Sequence, residues 1–199
     1  MNETAKKFMN MSLWSVLIIF VLRCLIGWSE IAQIKQNAEL IKGFYTFFGY
    51  AGEAIGTSAI VMAVFNKWGW KWKPLNFLAG GMPILEKKYE GKIRFVWEDI
   101  EQERDSQIII IQTFLKVVVK LGTVESSSNS ITATIIETNN ENQLIYTYEN
   151  TPRAELQNRS AIHYGTAMLK VDDPKHLTGN YYTGRLSRGS MDFWAVSEK

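Results

Sequence analysis

The segment KWGWKWKPLNFLAGGMPIL, residues 67–85, decides the fold of this chain because the hydrophobic periodicity changes across it. Two long apolar stretches precede this segment, whereas short stretches with strand-like alternation follow it. A chain of 199 residues has room for one ordinary domain and a small additional module. Since the change falls near Pro74, we predict two domains, residues 1–73 and residues 74–199.

The two apolar stretches before Pro74 have the length and composition of membrane-spanning helices. Residues 11–28 and residues 44–65 contain one charged side chain each, and a spanning helix needs roughly 20 mostly apolar residues. A cleaved signal peptide would account for the first stretch but not for the second. We therefore predict a two-helix transmembrane hairpin with spans at about these positions.

The lysines around the hairpin predict its orientation. Five lysines precede the first span or follow the second, namely Lys6, Lys7, Lys67, Lys71 and Lys73. Two lysines, Lys35 and Lys42, lie in the connector between the spans. Basic residues collect on the cytoplasmic side of a membrane. Both termini, and the domain after Pro74, are therefore expected in the cytoplasm.

Each predicted span contains one charged residue, and in an antiparallel hairpin Arg23 and Glu53 reach similar depth. Charges at membrane depth are costly, so the two residues would pair or face a polar cavity. Alternatively, Arg23 extends its head to the nearer headgroups. In the second span, Gly52 and Gly56 form a small-x-x-x-small face that would pack on the first helix or on another copy of the chain.

Alternation of apolar and polar residues dominates the chain after Pro74. Residues 107–121 carry apolar side chains at nearly every odd position, which predicts one long strand with one solvated face. Further strand candidates are residues 89–98, 130–138, 143–150, 161–171, 179–186 and 190–196. The charged run at residues 97–105 predicts a hairpin loop. Consecutive short strands without a helical break predict a mostly β fold, a small antiparallel barrel of 7–8 strands, with a sandwich as the alternative.

Polar and aromatic side chains recur on single faces of two predicted strands. They are Tyr146, Tyr148 and Asn150 on one strand and Tyr181, Thr183 and Arg185 on another. Turned inward, these faces would line a lumen with hydroxyl, amide and guanidinium groups beside aromatic rings, which suits a small planar anion. Turned outward, they would form ordinary cross-strand pairs. The periodicity leaves both arrangements open.

Composition and motifs exclude several classes of function. A net charge of +2 provides no field that would draw the chain onto duplex nucleic acid. The single cysteine, Cys24, excludes an intrachain disulfide and a multi-cysteine metal site. His163 and His176 are isolated and lack the spacing of metal ligands. Without a catalytic triad, phosphate loop or glycine fingerprint, we predict no enzyme, no catalytic residue, no metal and no cofactor.

The whole chain resembles the CD-NTase-associated protein 15 family, the two-transmembrane β-barrel effectors of CBASS antiphage defence. The resemblance rests on the paired spans and on the strand segments YEGKIRFVW, IIIIQTFLKVVVKL, TVESSSNS, LIYTYEN, HYGTAML and LTGNYYTGR. The first strand in this family usually begins with a tryptophan, where this chain has Tyr89.

The resemblance implies a barrel that binds a cyclic dinucleotide made by a partner CD-NTase on phage infection. It also implies that binding promotes self-association of the transmembrane helices in the lipid bilayer of the bacterial inner membrane, which is then disrupted, so that the infected cell dies. The family's polar barrel positions would fall on Trp97, Tyr148, Asn150, His163, Tyr181, Thr183 and Arg185. On the membrane side, Arg23, Gly52, Glu53 and Gly56 are the candidate residues.

Two other functions stay open on the residues alone. A membrane-tethered, lipocalin-like carrier or sensor of a lipid or other hydrophobe would have a lumen lined by Ile109, Leu115 and Val117. A structural anchor would instead turn its polar faces outward and leave Tyr148 and Arg185 exposed to solvent.

Overall fold

A computed structural model describes residues 3–37, 39–97, 100–138, 140–158 and 160–196 of the chain, without the side chain of Trp97. The chain forms two compact units, Met1–Gly80 and Gly81–Lys199. This division lies after the predicted boundary at Pro74, since the short helix Lys73–Leu78 contacts the helical turn that precedes it.

The regular secondary structure described in the first unit is entirely helical. Its elements are α1 (Glu3–Ile26), α2 (Trp28–Gln36), α3 (Leu40–Lys67), a 3-10 turn (Gly69–Lys71) and α4 (Lys73–Leu78). Helix α3 contains the second predicted span, and α1 contains the first except for its last two residues, since α1 ends at Ile26. Both helices are long and apolar enough to cross a membrane. These two helices support association of the chain with a membrane.

Helix α1 packs along one stripe of α3. The buried residues Tyr50, Ala54, Ser58 and Met62 recur at every fourth position of α3, which places them on one helix face. The Ser58 hydroxyl forms a hydrogen bond with the Ser15 hydroxyl of α1. A polar contact thus lies within an otherwise apolar helix pair.

The second unit is a closed barrel of eight antiparallel strands, in which each strand pairs with the next along the chain and the first pairs with the last. The strands are β1 (Lys88–Trp97), β2 (Ile100–Gln112), β3 (Val117–Thr123), β4 (Ser126–Thr138), β5 (Glu141–Pro152), β6 (His163–Lys170), β7 (His176–Thr183) and β8 (Arg188–Ala195). The predicted fold class, a mostly β chain with a small barrel after a two-helix module, is confirmed.

The long strand predicted at residues 107–121 is wrong, because the chain reverses direction within it. The reversal lies between β2 and β3, where the Thr113 amide donates to the Lys116 carbonyl over 2.8 Å. Before the turn the even-numbered Ile108 and Ile110 point inward, and after it the odd-numbered Val119 does. The reversal contains no glycine or proline and both faces of β2 are apolar here, so the periodicity alone did not reveal it.

The hairpin loop predicted at residues 97–105 is also wrong for most of that run. Strand β1 extends to Trp97 and β2 begins at Ile100, while residues 98 and 99 lie outside the described part of the chain. The charged side chains alternate across the sheet. Glu103 pairs outside the barrel with Lys92 and Arg94, whereas the next residue, Arg104, lines the interior.

Apolar side chains fill one end of the barrel, which we call the packed end. Its fully buried members include Tyr89, Ile108, Leu144, Leu169, Leu177 and Phe193. The Tyr89 hydroxyl donates to the Pro174 carbonyl over 2.6 Å and accepts from the Glu86 amide over 2.8 Å. Burial raises the pKa of Tyr89 to about 12. Because its apolar side chains are fully buried, the packed end provides most of the barrel's hydrophobic stability.

Candidate functional site

The opposite half of the barrel interior contains a cavity of about 440 Å³. Its floor is mainly apolar and consists of Ile93, Leu121, Tyr146 and Met191. Its walls and mouth carry many polar side chains beside the apolar Phe95, Pro152 and Leu156. The polar ones include Gln102, Arg104, Thr123, Glu125, Ser126, Ser128, Tyr148, Asn150, His163, Tyr181, Thr183, Arg185 and Ser187. A concave site with an apolar floor and convergent polar groups is typical of small-ligand binding.

The period of two along each strand supplies both the packed end and the cavity. On β5, Leu144 fills the packed end, and Tyr146, Tyr148 and Asn150 follow it inward at every second position. These four side chains are all buried. The same strands thus stabilise the barrel at the packed end and position the polar groups of the cavity.

Two glycines make room for the cavity tyrosines. A Cβ atom on Gly165 of β6 would lie 2.5 Å from the Tyr148 hydroxyl. A Cβ atom on Gly189 of β8 would lie 2.7 Å from the Tyr181 ring and 2.1 Å from the Arg94 carbonyl oxygen. Since no side chain fits at these distances, glycine at both positions lets each ring approach the backbone of the paired strand closely.

The cavity tyrosines are neutral hydrogen-bonding groups at physiological pH. Burial raises the pKa of Tyr146, Tyr148 and Tyr181, since the phenolate would lose its hydration. The rings of Tyr146 and Tyr148 lie with centroids 5.8 Å apart at an angle of 46°. The buried Tyr146 hydroxyl has no hydrogen-bond partner among the described residues.

Short polar contacts orient the side chains near the mouth. The Ser128 hydroxyl donates to the Asn150 amide oxygen over 2.8 Å. The Thr183 and Ser187 hydroxyls lie 2.6 Å apart, next to the turn between β7 and β8. In that turn, Arg185 Nη1 donates to the Ser160 hydroxyl over 2.7 Å. The guanidinium of Arg185 is thereby held beside the cavity entrance.

A second arginine, Arg104, lies in the cavity wall and forms an ion pair with Glu125 in the turn between β3 and β4. Its guanidinium carbon lies 5.3 Å from the centroid of the Phe95 ring. Its positive charge also reaches the Tyr181 hydroxyl, where it opposes the rise in pKa caused by burial. The cavity therefore has cationic groups on two separate elements.

Residues 81–194, which include nearly all of this barrel, match the family described as Cap15, cyclic dinucleotide receptor domain. The chain belongs to the Cap15 family. A CD-NTase-associated protein 15 from Staphylococcus schleiferi is 30% identical over 191 residues, which are 96% of this chain and 97% of that relative. Its counterpart from Yersinia aleksiciae is 35% identical over 91 residues, 44% of this chain and 43% of that relative.

The description of the Cap15 family is that of a receptor with a ligand, rather than of an enzyme with a cofactor. No group of three or more His, Cys, Asp or Glu side chains that could hold a metal ion occurs in the described part of this family member.

The barrel of this Cap15 family member brings six of the seven predicted ligand-binding residues into one cavity: Tyr148, Asn150, His163, Tyr181, Thr183 and Arg185. The side chain of the seventh, Trp97, lies outside the described residues. Since these strand faces turn inward, the outward arrangement is wrong. Tyr148 is buried and Arg185 is exposed at the mouth, a mixture that the structural-anchor hypothesis did not predict. Ligand binding by these residues stays a prediction.

The lumen expected for a hydrophobe carrier does not form as predicted. Ile109 and Leu115 lie on the outside of the barrel, and Val117 is buried near the packed end. The apolar residues that do line the cavity, such as Ile93 and Leu121, are not the ones that this hypothesis named. The carrier hypothesis thus loses two of its three lining residues.

The sequence pattern did not identify Arg104, Glu125 or Ser128 as ligand-binding candidates. Arg104 was hidden in the charged run that predicted a loop. Counting back from Ile108 in steps of two would have placed Ser106 and Arg104 on its inward face. No pattern along the chain pointed to Glu125, because it lies in a turn and reaches the cavity only through barrel closure.

In the helical unit, the structure pairs Arg23 with Glu53, with Arg23 Nε 2.6 Å from Glu53 Oε2. The Arg23 guanidinium also lies 3.9 Å from the centroid of the Tyr50 ring, and the Tyr50 hydroxyl donates to Glu30 over 2.7 Å. A Cβ atom on Gly27 would lie 2.2 Å from that hydroxyl. The structure thus contains the pairing of Arg23 with Glu53 that was one of the two alternatives, and extension of Arg23 towards the headgroups stays a prediction.

Gly52 and Gly56 do not contact α1. A Cβ atom added at either position would meet no atom of the described residues within 4 Å. At 100° per residue, both glycines lie on the face of α3 opposite to the stripe of Ala54 and Ser58 that packs on α1. The alternative in which this small face packs on the first helix is wrong, and none of the described residues of the same chain covers the face.

Proposed function

We propose that this Cap15 family member is a membrane-bound antiphage effector whose barrel binds a cyclic dinucleotide in the cavity described above. The observation that carries the proposal is the cavity itself, in which guanidinium groups and aromatic rings surround a concave space within the matched receptor domain. Binding at this site would report that a partner CD-NTase has made its product.

The chemistry of the cavity suits both parts of such a ligand. A guanidinium such as that of Arg185 can donate two parallel hydrogen bonds to a phosphate. The rings of Tyr148 and Tyr181 offer stacking surfaces, and a base stacked on an aromatic ring contributes about 1–3 kcal/mol. The neutral hydroxyls of Thr183 and Ser187 can bond to a phosphate or a base without adding charge.

The helical unit provides the membrane part of the proposed function. Helices α1 and α3 would cross the bacterial inner membrane twice, with both termini and the barrel on the cytoplasmic side, where the flanking lysines are favoured. The ion pair of Arg23 and Glu53 would lower the cost of two charges at membrane depth. The sensor would thus face the compartment in which the messenger is made.

Self-association of the helices would couple binding to membrane disruption and cell death. The uncovered face with Gly52 and Gly56 allows another helix to approach closely. A ligand can shift the equilibrium towards the assembled form only if that form binds it more tightly. We propose that the cyclic dinucleotide has this preference and that α3 provides the contact between copies.

The binding step is tested with the full chain in lipid nanodiscs, titrated with a panel of cyclic dinucleotides. We expect saturable binding of at least one member and loss of that binding in Arg185→Ala. Arg188→Ala is the matched control, since Arg188 is exposed on β8 and does not line the cavity. Binding of a fluorescent fatty acid, with no binding of any cyclic dinucleotide, would overturn the proposal in favour of a hydrophobe carrier.

The membrane step is tested in liposomes that contain the full chain and a trapped dye. Gly56→Leu should retain ligand binding but abolish ligand-induced crosslinking and dye release, because a bulky side chain keeps the helices apart. Thr57→Leu is the control, since Thr57 is exposed on α3 about 100° around the helix from Gly56. Equal dye release from the two variants would contradict assembly through the glycine face.

A further inference from the structure

We infer that Arg104 is a second phosphate-binding residue, and that Glu125 pairs with its guanidinium until a ligand phosphate replaces the carboxylate. The inference rests on the proposed function, because it concerns the same cavity. It adds a residue that the sequence did not reveal and an internal competitor for the ligand.

Arg104 has the placement that such a role requires. It projects from β2 into the cavity, and its charge acts on the hydroxyl of Tyr181, one of the proposed stacking residues. The second arginine, Arg185, lies in the turn between β7 and β8 and bonds to Ser160. A cyclic dinucleotide carries two phosphates, and the cavity offers one guanidinium on each of these two elements.

The partner of Arg104 is unusual for a cavity that receives an anion. Glu125 also lines the cavity, so its carboxylate lies where the negative charge of a ligand would be repelled. A phosphate that approaches Arg104 can form the same two parallel hydrogen bonds that a carboxylate forms. When a phosphate replaces the carboxylate, Arg104 keeps an anionic partner, whereas Glu125 leaves the ion pair for the solvated rim of the cavity.

This exchange would set the sensitivity of the receptor. The ligand has to displace Glu125, so the affinity is lower than the cavity would otherwise provide, and a resting level of nucleotide leaves the barrel empty. Ligands with a single phosphate would occupy Arg185 and leave the pair of Arg104 and Glu125 intact. The arrangement therefore favours cyclic dinucleotides over cyclic mononucleotides.

The barrel contains a chemically similar pair that serves as a control. Glu103, next to Arg104 on β2, forms an ion pair with Arg94 over 2.8 Å, and both residues lie outside the cavity. Glu103→Gln and Arg94→Ala therefore change the net charge by the same amounts as Glu125→Gln and Arg104→Ala. They do so without altering the cavity wall.

The experiment measures the affinity of the full chain in nanodiscs for the cyclic dinucleotide that binds the unmodified chain most tightly. Arg104→Ala should weaken binding by roughly 10- to 100-fold, the effect of losing a charged hydrogen-bonding group. Glu125→Gln should tighten binding by roughly tenfold, since it removes the competitor and one repulsive charge. When Arg104→Ala is already present, adding Glu125→Gln should tighten binding much less, because the main effect of Glu125 on the affinity acts through Arg104. The two control variants should bind like the unmodified chain.

Several outcomes would overturn the inference. Weaker binding by Glu125→Gln would mean that the carboxylate contacts the ligand itself, and unchanged binding by Arg104→Ala would remove the second phosphate site. Arg104→Gln with Glu125→Gln replaces both charges by neutral groups of similar size, and normal affinity in this variant would also contradict the role of Arg104. All these outcomes require that the unmodified chain binds a cyclic dinucleotide. If it binds none, the proposed function is wrong, and the role of Arg104 is wrong with it.

Discussion

The two ends of the barrel interior are made by the same eight strands but differ in what they contain. At the packed end, Leu144, Leu177 and Phe193 are fully buried among apolar neighbours. At the cavity end, Asn150, Thr183 and Arg104 continue the inward faces of β5, β7 and β2. The comparison indicates that one end stabilises the closed sheet, so the other can hold polar groups around a space.

The largest effect is expected from truncation of a side chain at the packed end. Phe193→Ala should lower the free energy of unfolding by about 3–5 kcal/mol, because it leaves a cavity among apolar side chains. Thr183→Ala at the mouth removes only a short hydroxyl contact, and its cost should stay below about 1.5 kcal/mol. Urea unfolding of the full chain in detergent, followed by tryptophan fluorescence, measures both. Similar losses would contradict the division into two ends.

The next effect comes from the glycine behind Tyr148. Gly165→Ala should push the Tyr148 ring into the cavity and weaken ligand binding at least tenfold, since the new Cβ would lie 2.5 Å from the hydroxyl and 2.8 Å from the Tyr182 carbonyl oxygen. The cost in stability should be about 1–3 kcal/mol. Gly122→Ala on β3 is the matched control, because nothing lies within 4 Å of a Cβ atom there. Normal binding by Gly165→Ala would show that the cavity tolerates a displaced ring.

The sequence predicted the polar residues of the cavity better than the packing behind them. Strands β5 and β7 alternate cleanly, so their inward faces followed from a period of two, and Tyr148 and Thr183 were assigned to a common site. The predicted ranges, residues 143–150 and 179–186, differ from the ends of β5 and β7 by two and three residues. The glycine behind Tyr148 gave no such indication. Its importance depends on the pairing of Gly165 with Tyr148 across two strands, a register that only the closed sheet defines.

Two further features could not be predicted for physical reasons. The turn at Thr113–Lys116 is closed by a threonine side chain, whose hydroxyl accepts from the Lys116 amide, rather than by glycine or proline. The pair of Arg104 and Glu125 joins a strand to a turn that are 21 residues apart. Periodicity reports which face a side chain occupies, but not which distant residue it meets.

Removal of the hydroxyl from two buried tyrosines should change the free energy of unfolding by smaller amounts and in opposite directions. Tyr89→Phe at the packed end should lower the free energy of unfolding by about 1–3 kcal/mol, since it leaves the Pro174 carbonyl and the Glu86 amide without their partner. Tyr146→Phe at the cavity floor should leave stability unchanged or raise it by up to about 1 kcal/mol, since it removes a buried hydroxyl without a partner among the described residues. Urea unfolding of the two variants measures the difference. A loss of stability in Tyr146→Phe would reveal an unobserved partner for that hydroxyl.

The smallest effect is a pH dependence shared by both ends. Burial raises the pKa of Tyr89 to about 12, and it also raises the pKa of Tyr146. In the unfolded chain a tyrosine ionises near a pKa of about 10, so the folded barrel keeps protons that the unfolded chain releases. Stability from these hydroxyls is therefore complete below about pH 10 and is lost as the pH rises towards the folded-state values.

Unfolding measured at pH 8, 10 and 11 checks the sign of this dependence. Tyr146→Phe should make the loss above pH 10 shallower by at most one proton, about 1.4 kcal/mol per pH unit, while leaving stability at pH 8 nearly unchanged. Tyr164→Phe is the control, because that ring is exposed on the outside of β6 and its hydroxyl is open to water in both states. If both variants keep the same alkaline slope as the unmodified chain, the buried hydroxyl of Tyr146 does not hold its proton more tightly in the folded barrel.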